Sequence, residues 1–338
     1  CTIERRETMK KIIPDKLRIN DEVRVIAPSR SMGILSDETI DIAVKTLESL
    51  GLKVTFGEYV NDSIDDDYNS SSIENRVKDL MDAFKDPNVK AILTVIGGFN
   101  VNQILDYIDY EVIRNNPKIL CGYSDITALL ESITARTGLV TYYGPHFSTF
   151  GIKLKNEYTV DYFNKMLFAN EVVKVEASHE WSNDLWFIDQ DKRDFINNDG
   201  FNVISEGAGE GVILGGNLCT LNLLQGTPYF PKIDEDIILF IEDDGGADAN
   251  FLVEFDRNFQ SLIHALDKDK IKGIVVGRAE LNCNMTVDKW KKIFVSKGLG
   301  NIPIILNADF GHTNPMITIP LTGYAKIDTS TNTIEIKD

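Results

Sequence analysis

Between Val23 and Tyr143 short apolar runs alternate with amphipathic stretches, and this alternation constrains the fold more than any other feature of the chain. Val23-Arg24-Val25-Ile26-Ala27-Pro28-Ser29 reads as a strand ended by Pro28. Asp37 to Leu50 repeats apolar residues at helical spacing and stops at Gly51. Leu52 to Phe56 is a second strand, and Ser72 to Phe84 a helix with Ser72 as its N-cap. Ala91 to Ile96 is a buried strand that runs into Gly97-Gly98-Phe99-Asn100, and Val101 to Arg114 reads as one helix. The strand before Ser124, a helix to Thr137 and Val140 to Tyr143 complete the series. Such an order predicts a parallel sheet with helices on both faces, because each crossover has to lie over one face. Sheets of this kind bind ligands beyond the carboxyl ends of their strands, where Gly97-Gly98 and Ser124 fall.

Ser124 has a particular setting. Ile119-Leu120-Cys121 is apolar and short, Gly122 permits a sharp turn, and Leu129, Leu130 and Ile133 then repeat at helical spacing. A strand-to-helix turn pushes a side chain out of the sheet and leaves backbone N–H groups free near a helix N-terminus. The pattern is not G-x-S-x-G, since Ile126 takes the place of the second glycine, and a serine here also suits a helix cap. Two further polar residues stand at strand ends. Glu242 closes the run Ile237 to Ile241, and His312 lies just past Ile304-Ile305-Leu306. A hydroxyl nucleophile needs a base, and the base needs a group that holds its tautomer. The order Ser, Glu, His can fill those roles. The bland readings are His312 as a carbonyl cap and Glu242 as part of a solvated acidic run. Cys121 is a rival nucleophile, better read as core packing.

The second half is mixed α/β with an antiparallel hairpin at Tyr324 to Ile336. At 338 residues the chain exceeds one average domain. The expected division is an N-terminal extension over 1–16, an α/β domain with the nucleophile over 17–170, a linker and recognition loop over 171–206, and a C-terminal α/β domain with Glu242 and His312 over 207–338. Cys1 to Thr8, ahead of Met9, reads as a disordered extension or an addition to the natural start. The loop Glu176 to Glu206 carries Trp181, Trp186 and Phe187 among polar residues, a composition that suits either ligand contact or self-packing. The net charge of −17 argues against nucleic acid or an anionic membrane as partner. No apolar run reaches membrane-spanning length. Four cysteines without paired spacing suggest free thiols in a reducing cytoplasm, and four scattered histidines suggest no metal site.

Gly97-Gly98-Phe99-Asn100, Gly122-Tyr123-Ser124-Asp125, Gly215-Gly216-Asn217-Leu218, Ile241-Glu242-Asp243 and Gly311-His312, with Tyr143-Gly144-Pro145 among them, occur in an order that resembles the LD-carboxypeptidase family. That family includes muramoyl-tetrapeptide and microcin C immunity carboxypeptidases. The resemblance runs from about Leu17 to the C-terminus. It implies a serine peptidase without metal or other cofactor: Ser124 as nucleophile, His312 as base, Glu242 as orienting acid, and the N–H groups of Gly98 and Asp125 as oxyanion donors. It also implies a flavodoxin-like N-terminal domain, a β-rich C-terminal α/β domain and a homodimer. Trp181 or Trp186 would stack on a nucleobase, as in the immunity branch, and Asn217 and Glu280 would hold the substrate's polar end. Some relatives carry a basic residue shortly after the glutamate, where this chain has Gly245-Gly246. A carboxypeptidase must still bind a free carboxylate, and Arg257 and Arg278 are the candidates. The expected function is a serine carboxypeptidase acting on a small peptide or a peptidyl or aminoacyl nucleotide. Its alternatives are a cell-wall tetrapeptide carboxypeptidase and a non-catalytic nucleotide-binding protein with Gly97-Gly98 at phosphate.

Overall fold

In the computed structural model, which describes residues 10–64 and 67–338, the first-half strands form one sheet. Its order is Lys53–Phe56, Glu22–Ile26, Val89–Thr94, Ile119–Gly122 and Thr141–Tyr143, all parallel. In chain order that is 2-1-3-4-5, the order of doubly wound flavodoxin-like sheets. Ile92, Leu93, Ile119, Leu120 and Cys121 are fully buried because helices cover both faces. Each such aliphatic side chain contributes about 1.5–3 kcal/mol. A sixth strand, Ile319–Leu321, pairs antiparallel with Thr141–Tyr143, so the chain's end returns to the first sheet.

The expected helices at 37–50 and 72–84 appear as Asp37–Ser49 and Ile73–Lys85, each with a serine N-cap. Ser72 accepts from the Asn75 N–H, as its position predicts. The single helix expected over 101–114 is two pieces. A 3-10 segment, Val101–Tyr107, precedes a helix, Tyr110–Asn115, because the Asp109 carboxylate accepts the N–H groups of Glu111 and Val112 and starts the helix afresh. The expected extension falls outside the described residues over positions 1–9, Cys1 included, while Ile12 bridges to Leu139 beside the first sheet.

The second sheet has a parallel centre of Ala208–Asn217, Ile237–Glu242, Ile271–Gly277 and Ile304–Ala308. The hairpin Tyr324–Asp328 with Thr333–Lys337, then Val173–Val175, extends one edge antiparallel, and Asn202–Ser205 extends the other. The span 171–206, expected as linker and recognition loop, thus supplies both edge strands. Ile237, Leu239 and Ile241 pack with Phe255, Phe259 and Phe294, whereas Ile238 and Phe240 join the core of the first sheet. Successive strand residues face opposite ways, so Glu242 shares the face of Ile238 and Phe240 and is aimed at the first sheet.

Candidate active site

Ser124 lies at the turn between Ile119–Gly122 and the helix Thr127–Thr137, with φ +60°. The left-handed strain expected at a glycine therefore sits on the serine itself, where it costs about 1–2 kcal/mol. Gly122 is needed for another reason. A side chain there would meet Thr94 Oγ1 and the His146 ring. Gly97 passes so close that a Cβ on it would sit 3.1 Å from Ser124 Oγ.

Strand parity brings Glu242 across from the second sheet, and Gly311, at φ +99°, lets the following His312 lie against it. His312 Nε2 is 3.0 Å from Ser124 Oγ, and its Nδ1 donates to Glu242 Oε2 at 2.7 Å. The three strand-end residues picked from the sequence are thus one continuous chain of contacts. Glu242 is buried, and its other oxygen accepts from Tyr143 Oη at 2.5 Å and Asn217 Nδ2 at 3.3 Å. Burial alone would raise its pKa. The charge and hydrogen bond of His312, with Tyr143 and Asn217, hold it below the usual carboxylate value. Burial likewise opposes the His312 imidazolium, but Glu242, Asp244 and Glu280 outweigh it and push the pKa up to about 9.

The Gly98 and Asp125 N–H groups meet no acceptor among the described residues. The Asp125 carboxylate ties their two segments together. It accepts from Ser29 Oγ at 2.7 Å and from the N–H groups of Asn100 and Val101 at 3.0 and 3.1 Å. Arg76 adds bonds to the carbonyls of Pro28 and Asn100, both at 3.1 Å.

Other expected residues sit differently. Asn217 caps the helix Leu218–Asn222, accepting from Thr220 N–H, while its amide donates to Glu242 and Asp243. Both polar ends thus engage the triad acid, its neighbour and the capped helix, which puts Asn217 at the edge of the site. Trp181 is buried under the Arg278 guanidinium at 4.8 Å. Arg278 in turn pairs with buried Asp309 at 3.2 Å, which also accepts the Ser178 N–H at 2.8 Å. That cluster anchors the loop to the segment leading into His312, so neither Trp181 nor Arg278 faces open space. Arg257 is exposed and pairs with Glu254. Trp186 is half-buried, with its ring 5.8 Å from exposed Phe187. Glu280 is half-buried and accepts the Gly245 N–H. Tyr143 and His146 are site residues that sequence reasoning missed. His146 is buried, stacks 4.1 Å from Tyr123 and contacts Thr94 through Nδ1. Burial and the nearby His312 and Arg30 charges keep it neutral.

Among the described residues, one group has metal-ligating spacing: Cys219, Asp243 and Asp244, with ligand atoms within 4.8 Å. Its thiol donates to Asn217 Oδ1, and burial keeps it protonated. Cys121 and Cys283 are also free thiols. No helix among the described residues is long and apolar enough to cross a membrane.

The comparisons with known proteins agree with this layout. The LD-carboxypeptidase N-terminal domain matches residues 23–144, and the LD-carboxypeptidase C-terminal domain matches residues 210–327. YocD of Bacillus subtilis, which carries a carboxypeptidase name, is 49% identical over 95% of this chain and 97% of its own length. The microcin C7 self-immunity protein MccF of Escherichia coli is 31% identical over 95% of this chain and 94% of its own. A Bacillus subtilis protein named for murein peptide carboxypeptidase activity is 29% identical over 96% of this chain and 94% of its own. An MccF-like protein from Bacillus anthracis superimposes with TM-score 0.93, at 48% identity over 96% of this chain and 99% of that one. MccF in complex with aspartyl sulfamoyl adenosine gives 0.86, at 28% identity over 97% and 98%.

Proposed function

The chain belongs to the LD-carboxypeptidase family, a family of peptidase hydrolases, and on that premise we propose that it is a serine carboxypeptidase acting through Ser124, His312 and Glu242. The observation that carries this reading is the unbroken contact from Ser124 Oγ through the His312 ring to buried Glu242. Neutral His312 takes the Ser124 proton as Oγ attacks the amide carbonyl, and Glu242 holds the Nδ1–H tautomer and steadies the imidazolium. The Gly98 and Asp125 N–H groups receive the oxyanion, and each such donor typically contributes about 3 kcal/mol to barrier lowering. His312 then protonates the leaving nitrogen, and water releases the acyl group from Ser124 by the reverse sequence.

The substrate class we favour is a small peptide or an aminoacyl or peptidyl nucleotide. MccF has been solved with aspartyl sulfamoyl adenosine and with glutamyl sulfamoyl guanosine, and one solved structure is a tryptophan-to-phenylalanine variant with adenosine monophosphate. Half-buried Trp186, rather than buried Trp181, is our candidate for stacking on such a base. The second reading, a murein tetrapeptide carboxypeptidase, rests on the murein peptide relative. Parallel assays of an aminoacyl sulfamoyl nucleotide and an L,D-tetrapeptide separate them. Trp186→Ala should impair only nucleotide cleavage, by roughly 10-fold or more in KM for one lost stacking contact. Equal rates of Trp186→Ala and wild type on the nucleotide would remove that substrate assignment. The same reading includes a homodimer in the cytoplasm, checked by light scattering and cell fractionation.

A further inference from the structure

A substrate anion entering this site meets an acidic surround: Glu242, Asp243, Asp244 and Glu280 all lie at or near the triad. The two arginines that the sequence offers as counterions are committed elsewhere, Arg278 to Asp309 over the Trp181 ring and Arg257 to Glu254 on an exposed helix. Arg30 is in a different position. Its Nε donates to the Gly97 carbonyl at 3.1 Å, and the other side of Gly97 faces Ser124, so one glycine separates the guanidinium from the nucleophile. A Cβ on Gly98, the proposed oxyanion donor, would sit 3.0 Å from the Arg30 Cγ.

The side chain is half-buried, yet among the described residues its two terminal nitrogens meet no acceptor. The nearest acid in the turn, Asp125, lies beyond ion-pair distance and spends its carboxylate on Ser29, Asn100 and Val101. The backbone of Arg30 is fixed by a bridge to Ser70, and that of Ser31 by a bond to the Asn69 carbonyl at 2.7 Å. The result is a held guanidinium, one glycine away from Ser124, whose planar pair of terminal donors has no protein acceptor among the described residues, an arrangement that suits a carboxylate or an oxyacid group.

Resting on the hydrolase reading above, we infer that Arg30 binds the anionic group carried next to the scissile amide. In a peptide that group is the terminal carboxylate, and in an aminoacyl nucleotide it is the acidic phosphoryl or sulfamoyl linkage.

The test compares wild type, Arg30→Gln and Arg30→Lys on an L,D-tetrapeptide, its C-terminal carboxamide and aspartyl sulfamoyl adenosine. Loss of one charge-assisted contact should cut kcat/KM roughly 10- to 100-fold, mostly through KM. A loss on the free acid that spares the carboxamide identifies the carboxylate, and a loss on the sulfamoyl nucleotide identifies the linkage anion. Arg30→Lys should recover part of either loss. An equal fall in kcat on all three substrates, the carboxamide included, would mean that Arg30 only holds Gly97, and would overturn the proposal. So would unchanged kinetics. Wild-type protein that cleaves none of the three would instead count against the hydrolase reading.

Discussion

Tyr143 Oη donates to Glu242 Oε1 at 2.5 Å and at the same time accepts the Ser124 N–H at 3.2 Å. One phenol thus fixes the carboxylate proposed as orienting acid in the second sheet and the backbone of the proposed nucleophile in the first. Burial, reinforced by the charge of Glu242, holds its pKa far above the ordinary value, so it stays a donor throughout the working range. Tyr143→Phe removes both bonds without emptying the ring's place. We predict a fall in kcat of about 10- to 100-fold, the size expected for lost hydrogen bonds to a charged group, with KM nearly unchanged. Steady-state kinetics check it, and an equivalent rise in KM would argue for a role in binding instead.

The rate should depend on pH through His312. Its pKa is pushed up to about 9, and a general base works only when neutral, so kcat/KM should rise with pH and level off near that value. Glu280→Gln removes one of the charges that favour the imidazolium, so the inflection should move to lower pH. A profile from pH 6 to 10 checks both. A plateau already reached at pH 7 would contradict the electrostatic account.

How much of this was readable beforehand varies by residue. Ser124, Glu242 and His312 stand at the ends of apolar runs, and strand ends are visible to periodicity. Tyr143 is one aromatic residue in a short strand, and nothing local says that it reaches a carboxylate 99 positions later. Asn217 was visible as a polar residue after a glycine pair, but its contacts with Glu242 and Asp243 follow from the sheet that brings those acids to it. The strand Ile319–Leu321 looks local to the second half and pairs with the first, because sheet partners are chosen by non-local packing. The split at Asp109 was a local signal that the longer helical periodicity overrode in reading.

Strain at Ser124 gives a stability prediction. Ser124→Ala and Ser124→Gly both lose the hydroxyl, but only glycine relieves φ +60°. The glycine variant should therefore be the more stable by about 1 kcal/mol, or about 2 °C in Tm, the reverse of the usual order near a helix. Calorimetry of the two variants checks it, and a more stable alanine variant would deny the strain.

Glu131, on the helix that follows Ser124, is fully buried, and one of its oxygens has no partner among the described residues. Burial pushes its pKa up to about 8. The unfolded value is near 4.5, so the protonated form is favoured by folding. Its contribution is whole below pH 4.5 and is lost as pH rises toward 8. Glu131→Gln, which keeps an acceptor for the Gly215 N–H, should raise Tm by about 2–6 °C at pH 8 and by much less at pH 4.5. Melting curves at the two pH values decide it, and equal shifts at both would mean that the carboxyl is not titrating in that window.

The Asp125 carboxylate holds the two proposed oxyanion segments at one oxygen. Asp125→Ala strands two buried N–H donors, each costing about 1–3 kcal/mol. It should lower both Tm and kcat, and a variant with normal kcat would show that the turn holds its shape without this tie.

The central claim is that the acyl group passes through Ser124. Rapid-quench mass spectrometry during turnover of a cleaved amide tests it most directly. The account predicts a transient acyl adduct on the peptide containing Ser124, absent from Ser124→Ala, whose kcat should fall by about 10⁴-fold or more. A Ser124→Ala protein that turns over at the wild-type rate, with no adduct on the wild type, would contradict it.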